Sequence, residues 1–155
     1  MSNNLSIIRD STGILLEVFI PHIFRGITVD SGAGLTGLVF DTAGLTAYYY
    51  RGDAANSTAI TLVTMTLGAW VSGGFVVVDG TNMPGLYQLG IPDAAFVTGV
   101  DAVTIALRGA ANMRDVVMEI DIVDVEVNLT TSVNEILNSI RVPKKAPERT
   151  ALLRG

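Results

Sequence analysis

The 155-residue sequence contains no cysteine and only one histidine, and each of these shortages excludes particular kinds of site. Without cysteine, neither a disulfide framework nor a thiolate metal site can form. The one histidine, His22, lies between Pro21 and Ile23 in an apolar run. A catalytic zinc site needs three protein ligands, and no suitably spaced second donor accompanies His22. We therefore interpret His22 as a structural residue and expect no metal site.

Charged residues are also scarce, at 16% of the chain, whereas apolar residues make up 49%. Soluble domains typically carry about a quarter charged residues. A membrane span needs about twenty consecutive apolar residues, and the longest candidates, Ile14–Pro21 and Gly74–Val78, are much shorter. The chain opens without the charged and apolar regions of a secretory signal. The sequence therefore predicts that a protein partner, not a membrane, covers the surplus apolar surface.

Motifs for catalysis and nucleotide binding are missing. There is no G-x-S-x-G nucleophile elbow, and no glycine-rich segment is followed by the Lys-Ser or Lys-Thr pair of a phosphate-binding loop. The spacing of Gly32, Gly34 and Gly37 matches a dinucleotide fingerprint, but no helical pattern follows it. We expect no catalytic residue and no cofactor.

What the sequence does contain is a series of short runs rich in Val, Ile, Thr, Tyr and Phe, separated by Gly, Pro, Asn and Asp. Such residues suit a pleated, half-buried surface, and many short strands at steady spacing are typical of an all-β sandwich or barrel. The first two runs flank the polar turn Asp10–Gly13 and predict an N-terminal hairpin. The predicted strands are Leu5–Arg9, Ile14–Ile20, Leu45–Arg51, Thr58–Thr64, Gly74–Asp79, Leu86–Ile91, Ala102–Arg108 and Val116–Asn128.

The last predicted strand alternates and then changes phase. Its apolar residues occupy every second position up to Ile122, but the apolar set moves by one position at Val123-Asp124. A slip of one residue reverses the faces of a strand, so we expect a bulge or a change of sheet there. The acidic residues between the apolar ones predict a solvent face rather than a calcium site, and a neighbour's basic segment is an alternative occupant. These residues are Glu119, Asp121, Asp124 and Glu126.

Four aromatic residues have specific predicted roles. Tyr87 follows Pro84-Gly85, an arrangement similar to that of immunoglobulin-like sandwiches, where a tyrosine hydroxyl bonds back to the backbone at a corner. The alternative is a β-turn followed by a strand with one core aromatic residue. Tyr48 and Tyr50 lie on one face of their predicted strand. Together with Trp70 they form a candidate surface for stacking on carbohydrate, and burial of at least one of them in the core is the alternative.

The C-terminal segment differs from the rest of the chain. Ser132 and Glu135 have the spacing of a capping box, and apolar residues at helical spacing follow, which predicts a short helix over 130–141. Residues 141–155 carry five basic residues against Glu148, a charge of +4, whereas residues 1–140 carry −9. We predict an N-terminal hairpin or arm over 1–30, a sandwich over 31–129 and an extended basic tail over 142–155. The predicted partner-binding residues of the tail segment are Arg141, Lys144, Lys145, Arg149, Leu152, Leu153 and Arg154.

Four segments resemble structural proteins of tailed bacteriophages. They are Thr36–Tyr48, Gly73–Asp79, Met83–Leu89 and Ile91–Phe96, and the resemblance extends over roughly residues 30–125. Its most specific part is the Pro-Gly-x-Tyr-x-Leu run with Pro-Asp-Ala-Ala-Phe close behind. The resemblance implies an immunoglobulin-like β-sandwich in a virion and carries no catalytic residues.

From this resemblance we expect a non-enzymatic virion protein, assembled in the host cytoplasm, that decorates or cements the capsid. The expected partners are the major capsid protein or another virion protein, and further copies of the chain, with a trimer at capsid three-fold positions as the predicted oligomer. We expect neither nucleic acid nor membrane as a partner. The alternatives are a neck, tail or baseplate/fibre adaptor and a carbohydrate-binding module for host attachment. The absence of a repetitive shaft favours a small subunit over a fibre.

Overall fold

The computed structural model describes residues 5–23 and 33–124, and all structural statements below concern these residues. They form nine β-strands and one 3₁₀ turn, Asp93–Ala95. The predicted strands are confirmed with shifts of up to three residues at their ends, except that Thr58–Thr64 is divided into two strands and that residues 125–128 of the predicted strand Val116–Asn128 lie outside the described residues. The strands are β1 (Leu5–Ile8), β2 (Leu15–Phe19), β3 (Thr46–Arg51), β4 (Thr58–Ile60), β5 (Val63–Thr64), β6 (Gly74–Asp79), β7 (Met83–Gly90), β8 (Ala102–Arg108) and β9 (Val116–Val123).

The strands form two sheets. One has five strands in the order β1-β9-β8-β3-β4, and the other has four in the order β2-β7-β6-β5. Neighbours are antiparallel except for β1 with β9 and β5 with β6. Both sheets are therefore mixed, and the predicted all-β class is confirmed with the features of a sandwich.

A single hydrophobic core is formed by the inward positions of the strands. On β8, every second residue is fully buried, namely Val103, Ile105 and Leu107. From the other sheet, Phe75 and Tyr87 stack with ring centroids 4.9 Å apart. Full burial of an aliphatic or aromatic side chain contributes about 1.5–3 kcal/mol. The period of two seen in the sequence thus determines which side of each strand packs inward.

The predicted N-terminal hairpin is wrong. β1 pairs with β9 in the five-stranded sheet, whereas β2 pairs with β7 in the four-stranded sheet. The turn between them is held by distant segments: the Asp10 amide donates to Phe96 O at 2.9 Å, and the Gly13 amide donates to Asp93 Oδ1 at 2.8 Å. These bonds join the turn to the segment that follows β7, and the turn leads from one sheet to the other instead of reversing within one.

Tyr87 bonds to the backbone, but not at a corner of its own strand. Its buried hydroxyl donates to Leu35 O at 2.7 Å and accepts from the Leu38 amide at 3.2 Å. Pro84 and Gly85 lie within β7 rather than in a preceding turn. Burial raises the pKa of the Tyr87 hydroxyl. This side chain therefore attaches the segment before β3 to the core.

The alternation predicted for β9 is confirmed up to its last residue. Ile120 and Ile122 are buried, and Met118 packs against the core. Glu119 points outward and is exposed, as expected of a solvent face. β9 ends at Val123, directly at the predicted phase slip. Residues after Asp124, including the predicted helix and tail, lie outside the described residues.

Candidate interaction surfaces

The outward side of the five-stranded sheet carries a band of small and aromatic side chains, which we call the tyrosine face. Strand register aligns its members in two rows across β4, β3, β8 and β9. Because the outward positions of neighbouring strands lie opposite one another, each row is a set of cross-strand neighbours. The first row is Ala59, Tyr48, Ala106 and Val117, and the second is Tyr50, Thr104 and Glu119.

This face is accessible. Val117 is 66% exposed and Tyr50 is 41% exposed. A shallow groove of about 330 Å³ runs along β3 and β8, lined by both outward tyrosines and Arg108. Tyr49, on the other side of β3, is in the core. One tyrosine of β3 therefore packs inward, and the other two lie on the outer face.

The chemistry of the tyrosine face suits protein contact. Beside the two tyrosines lie Ala59 on the edge strand and Ala106 and Thr104 on β8, whose short side chains allow another surface to approach the sheet. Tyrosine offers a large apolar ring and a polar hydroxyl and is enriched in the cores of protein interfaces. The face is therefore apolar enough to dock and polar enough to stay solvated when free.

Trp70 lies apart from the tyrosines. It belongs to the loop between β5 and β6 of the four-stranded sheet, and its Nε1 donates to Ile91 O at 3.1 Å. Its ring is half-buried beside Gly13, where an added Cβ would lie 4.0 Å from Trp70 Cγ. The predicted three-residue aromatic surface is therefore not brought together: Trp70 closes one end of the sandwich, and only Tyr48 and Tyr50 share a face.

One end of the outward side of the four-stranded sheet is covered by residues 65–73, which we call the covering loop. Gln88 points outward, yet it is only 7% exposed, and its Oε1 accepts from the Gly68 amide at 2.7 Å. Met65 lies over Gly74, and an added Cβ on Gly90 would meet Val71 O at 2.0 Å. The chain thus covers this end of the sheet with its own loop.

One part of the four-stranded sheet remains open. Phe19 is 47% exposed and Met83 is 51% exposed at the end of the sheet away from the covering loop. With Pro84 and Leu86 they line a groove of about 260 Å³. This apolar groove is smaller than the tyrosine face and holds no charged side chain. No sequence pattern pointed to this groove, because Phe19 is far along the chain from Met83, Pro84 and Leu86.

The described part of the chain is acidic, with eleven carboxylates and four arginines, a net charge of −7. Three arginines are engaged internally. Arg51 donates to Asp53 and to three carbonyls of residues 94–98, and its hydrogen bond holds the pKa of Asp53 below the usual range. Arg9 donates to Asp101, Asp124 and Val100 O. Arg108 lies 3.7 Å from Asp115 at the margin of the tyrosine face.

Metal sites and membrane-spanning helices are two other features that would bear on function. In residues 5–23 and 33–124 no group of three or more His, Cys, Asp or Glu side chains is arranged to hold a metal ion. None of the helices in this part of the chain is long and apolar enough to cross a membrane. Comparison with known proteins finds no matching family model, no matching curated protein and no matching solved structure. Evidence for function therefore comes from the exposed surfaces of the described sandwich.

Proposed function

We propose that this chain is a non-enzymatic structural subunit of a virion, built on an immunoglobulin-like sandwich, that decorates or cements the capsid through protein contacts. The observation that carries this proposal is the tyrosine face, an apolar sheet face on an acidic body. The basic C-terminal segment supplies a second, electrostatic contact. A neck, tail or baseplate adaptor belongs to the same class and differs in where the subunit binds.

The strand order supports the immunoglobulin-like part of the proposal. Variable-type immunoglobulin domains join the strands C, F and G in one sheet with C′ at its side, and the strands B, E and D in the other. The order β9-β8-β3-β4 corresponds to G-F-C-C′, and β2-β7-β6 corresponds to B-E-D. The buried tyrosine departs from this pattern, because it lies on β7 rather than at the start of the strand that corresponds to F.

Charge supports the contact with a partner. The acidic described body and the +4 segment over 141–155 attract each other when they belong to different copies or to a copy and a similarly acidic neighbour. An exposed ion pair contributes about 0–1 kcal/mol. Many identical copies on one particle make such weak contacts add through multivalency. Leu152 and Leu153 add a small apolar anchor to the same segment.

The direct experiment is the copy number of this chain relative to the major capsid protein in purified particles that carry it. Hundreds of copies per particle are the expected result for a subunit on the shell. A dozen copies or so would assign the chain to the neck or tail, and absence from the particles would overturn the virion role.

The contribution of the C-terminal segment is tested by two variants with matched length. In the first, the five basic residues of 141–155 become Gln, and in the second, Leu152 and Leu153 become Ser. We expect the first variant to lose occupancy relative to the wild type most strongly at low salt, because high salt already screens the wild-type charges, and the second to lose it at every salt concentration. Unchanged occupancy in both variants would remove this segment from the binding mechanism.

A further inference from the structure

We propose that the free edge of β2 binds the C-terminal residues of a second copy of this chain as an added antiparallel strand. The occupant is the proline-free end of the C-terminal segment, residues 148–155. This binding mode rests on the proposed function, in which the C-terminal segment contacts a neighbour, and it specifies where that contact forms.

The outer edge of β2 presents unpaired backbone groups. β2 is the last strand of the four-stranded sheet, and among the described residues no strand pairs with its other side. Directly after β2, the Ile20 amide donates to Gly85 O at 2.8 Å, in the register of the β2–β7 pair. Because bonded and non-bonded positions alternate along an antiparallel pair, the N–H and C=O groups of Leu15, Glu17 and Phe19 point away from β7. A strand added at this edge would find all of these groups free.

The other edge strands are less suited to pairing. Short edge strands limit the pairing of a sheet with other chains. β5 has two residues, β4 has three and β1 has four, whereas β2 has five. In immunoglobulin-like sandwiches strand A lies beside strand B, but here β1 pairs with β9 in the other sheet. In the described part of the chain, the position beside β2 is therefore left for a strand from another molecule.

The side chains along this edge suit a strand that is apolar at one position and basic two positions away. Phe19 is 47% exposed and lines the apolar groove with Met83, Pro84 and Leu86. Glu17 is exposed on the same outward side and forms no ion pair with another described residue. Full overlap with a second β2 would place two Glu17 carboxylates opposite each other, and like charges in that position destabilise a strand pair. A basic strand is therefore favoured over a second β2.

The C-terminal sequence meets both requirements in one register. Successive side chains of a strand alternate between its faces, so Leu152 and Arg154 lie on one side and Leu153 on the other. In the antiparallel direction, Leu152 pairs with Phe19 at the apolar groove. The same register brings Arg154 opposite Glu17 and directs Leu153 to the core side of the edge. Apolar residues thus meet apolar surface, and the two opposite charges face each other.

Strand direction and net charge both select this arrangement. Parallel pairing of Leu152 with Phe19 would place Thr150, not a basic residue, beside Glu17. The described body carries a net charge of −7, and residues 141–155 carry +4, so the segment is attracted to the body of a neighbouring copy. A contact between the edge of one copy and the end of another is heterologous and links copies into a ring or a longer chain. A ring of three matches the trimer expected from the resemblance.

The first test is sedimentation velocity with one variant that blocks the edge and one that lacks the occupant. Glu17→Pro removes an N–H that points away from β7, so it leaves the β2–β7 pairing intact, which circular dichroism checks. A chain without residues 148–155 keeps the edge. We expect the wild type to associate as its concentration rises from about 5 to 500 µM, the range of weak contacts. Each variant alone should stay monomeric, and an equimolar mixture should form a pair with one copy of each.

A monomeric wild type would overturn the proposal, and so would a mixture of the two variants that stays monomeric or a single variant that associates like the wild type. The virion role is tested separately, by copy number on particles. Failure of association in the purified protein therefore removes the strand contact without removing that role, and absence from particles does the reverse.

The second test reverses charges and does not depend on a proline in β2. Glu17→Arg and Arg154→Glu are each expected to weaken association several-fold, because each places like charges opposite one another, and the double variant should recover most of it. Glu119→Arg makes the same change of net charge on the other sheet and is expected to associate like the wild type. If the double variant associates no better than the single variants, or if Glu119→Arg weakens association as much as Glu17→Arg, the strand contact is wrong.

Discussion

The outward faces of the two sheets differ in how the chain uses them. On the four-stranded sheet, Gly74, Gln88 and Gly90 lie beneath the covering loop. On the five-stranded sheet, the corresponding outward positions carry Tyr50 and Val117, which remain 41% and 66% exposed. The covered face has glycines where backbone approaches backbone, and the open face has side chains suited to contact. The difference separates a sheet end that the chain covers itself from a sheet face that stays exposed.

The largest effect is expected where the covering loop touches the sheet. The added methyl group of Gly90→Ala would lie 2.0 Å from Val71 O, a backbone atom that cannot rotate away. We expect a loss of about 2–3 kcal/mol in the free energy of unfolding, typical of overpacking. Urea denaturation measures it. Ala106→Ser, which adds one atom on the open face, is the control and is expected to change stability by less than about 0.5 kcal/mol. Equal losses would break the contrast between the faces.

A smaller loss of unfolding free energy is expected when the polar contact between Gln88 and the covering loop is removed. Gln88→Met keeps the length of the side chain but removes the acceptor at 2.7 Å from the Gly68 amide. Gly68 is exposed, so its amide can bond to water in the variant, and we expect only the net loss of one hydrogen bond, about 0.5–1.5 kcal/mol, by thermal unfolding. Hydrogen exchange of the Gly68 amide should also accelerate. Unchanged exchange at Gly68 would mean that Gln88 does not hold the loop.

The open face is expected to tolerate change in the monomer. Val117→Thr keeps the shape of a 66% exposed side chain, and we expect the unfolding free energy at low protein concentration to stay within about 0.5 kcal/mol of the wild type. A large loss of stability in the monomer would show that the face is covered by the chain itself.

How far the sequence predicted this contrast depends on the range of the interactions. The period of two placed Tyr48 and Tyr50 on one side of β3 and Ile120 and Ile122 on the inner side of β9, since alternation is a local property. The N-terminal hairpin failed because the turn after β1 is held by residues near Phe96, which no local pattern reveals.

The roles of Trp70 and Tyr87 show the same limit. The sequence identified both side chains as notable, but their partners, Ile91 O for Trp70 and Leu35 O for Tyr87, lie 21 and 52 positions away in the chain. The covering loop had no signal beyond its glycines. Strand positions and faces were therefore predictable, whereas contacts that close loops onto sheets were not.

The smallest expected effect is on the pH dependence of stability, and it concerns two aspartates, one beside each sheet. Amide donors from Asn82 and Thr81 hold the pKa of Asp79 below its usual range, whereas Asp53 is lowered by its hydrogen bond and charge interaction with Arg51. A lowered folded-state pKa stabilises the fold above the unfolded-state pKa, and this contribution disappears as the pH falls through the folded-state value. Both contributions are therefore lost in acid.

Salt should separate the two aspartates. Added salt screens the charge of Arg51 but acts less on amide hydrogen bonds. In carboxyl-carbon NMR titrations at high salt we expect the pKa of Asp53 to rise more than that of Asp79. Equal shifts would contradict the assignment of an ion pair to the five-stranded sheet and backbone donors to the four-stranded sheet.

The contrast between the faces is tested most directly by methyl NMR of the full chain with a soluble paramagnetic probe. We predict strong relaxation of the Ala106 and Val117 methyl groups and weak relaxation of the Met65 methyl group, because Val117 is exposed and Met65 is buried. Weak relaxation of Val117, or relaxation of Met65 equal to that of Val117, would contradict the division into an open and a covered face.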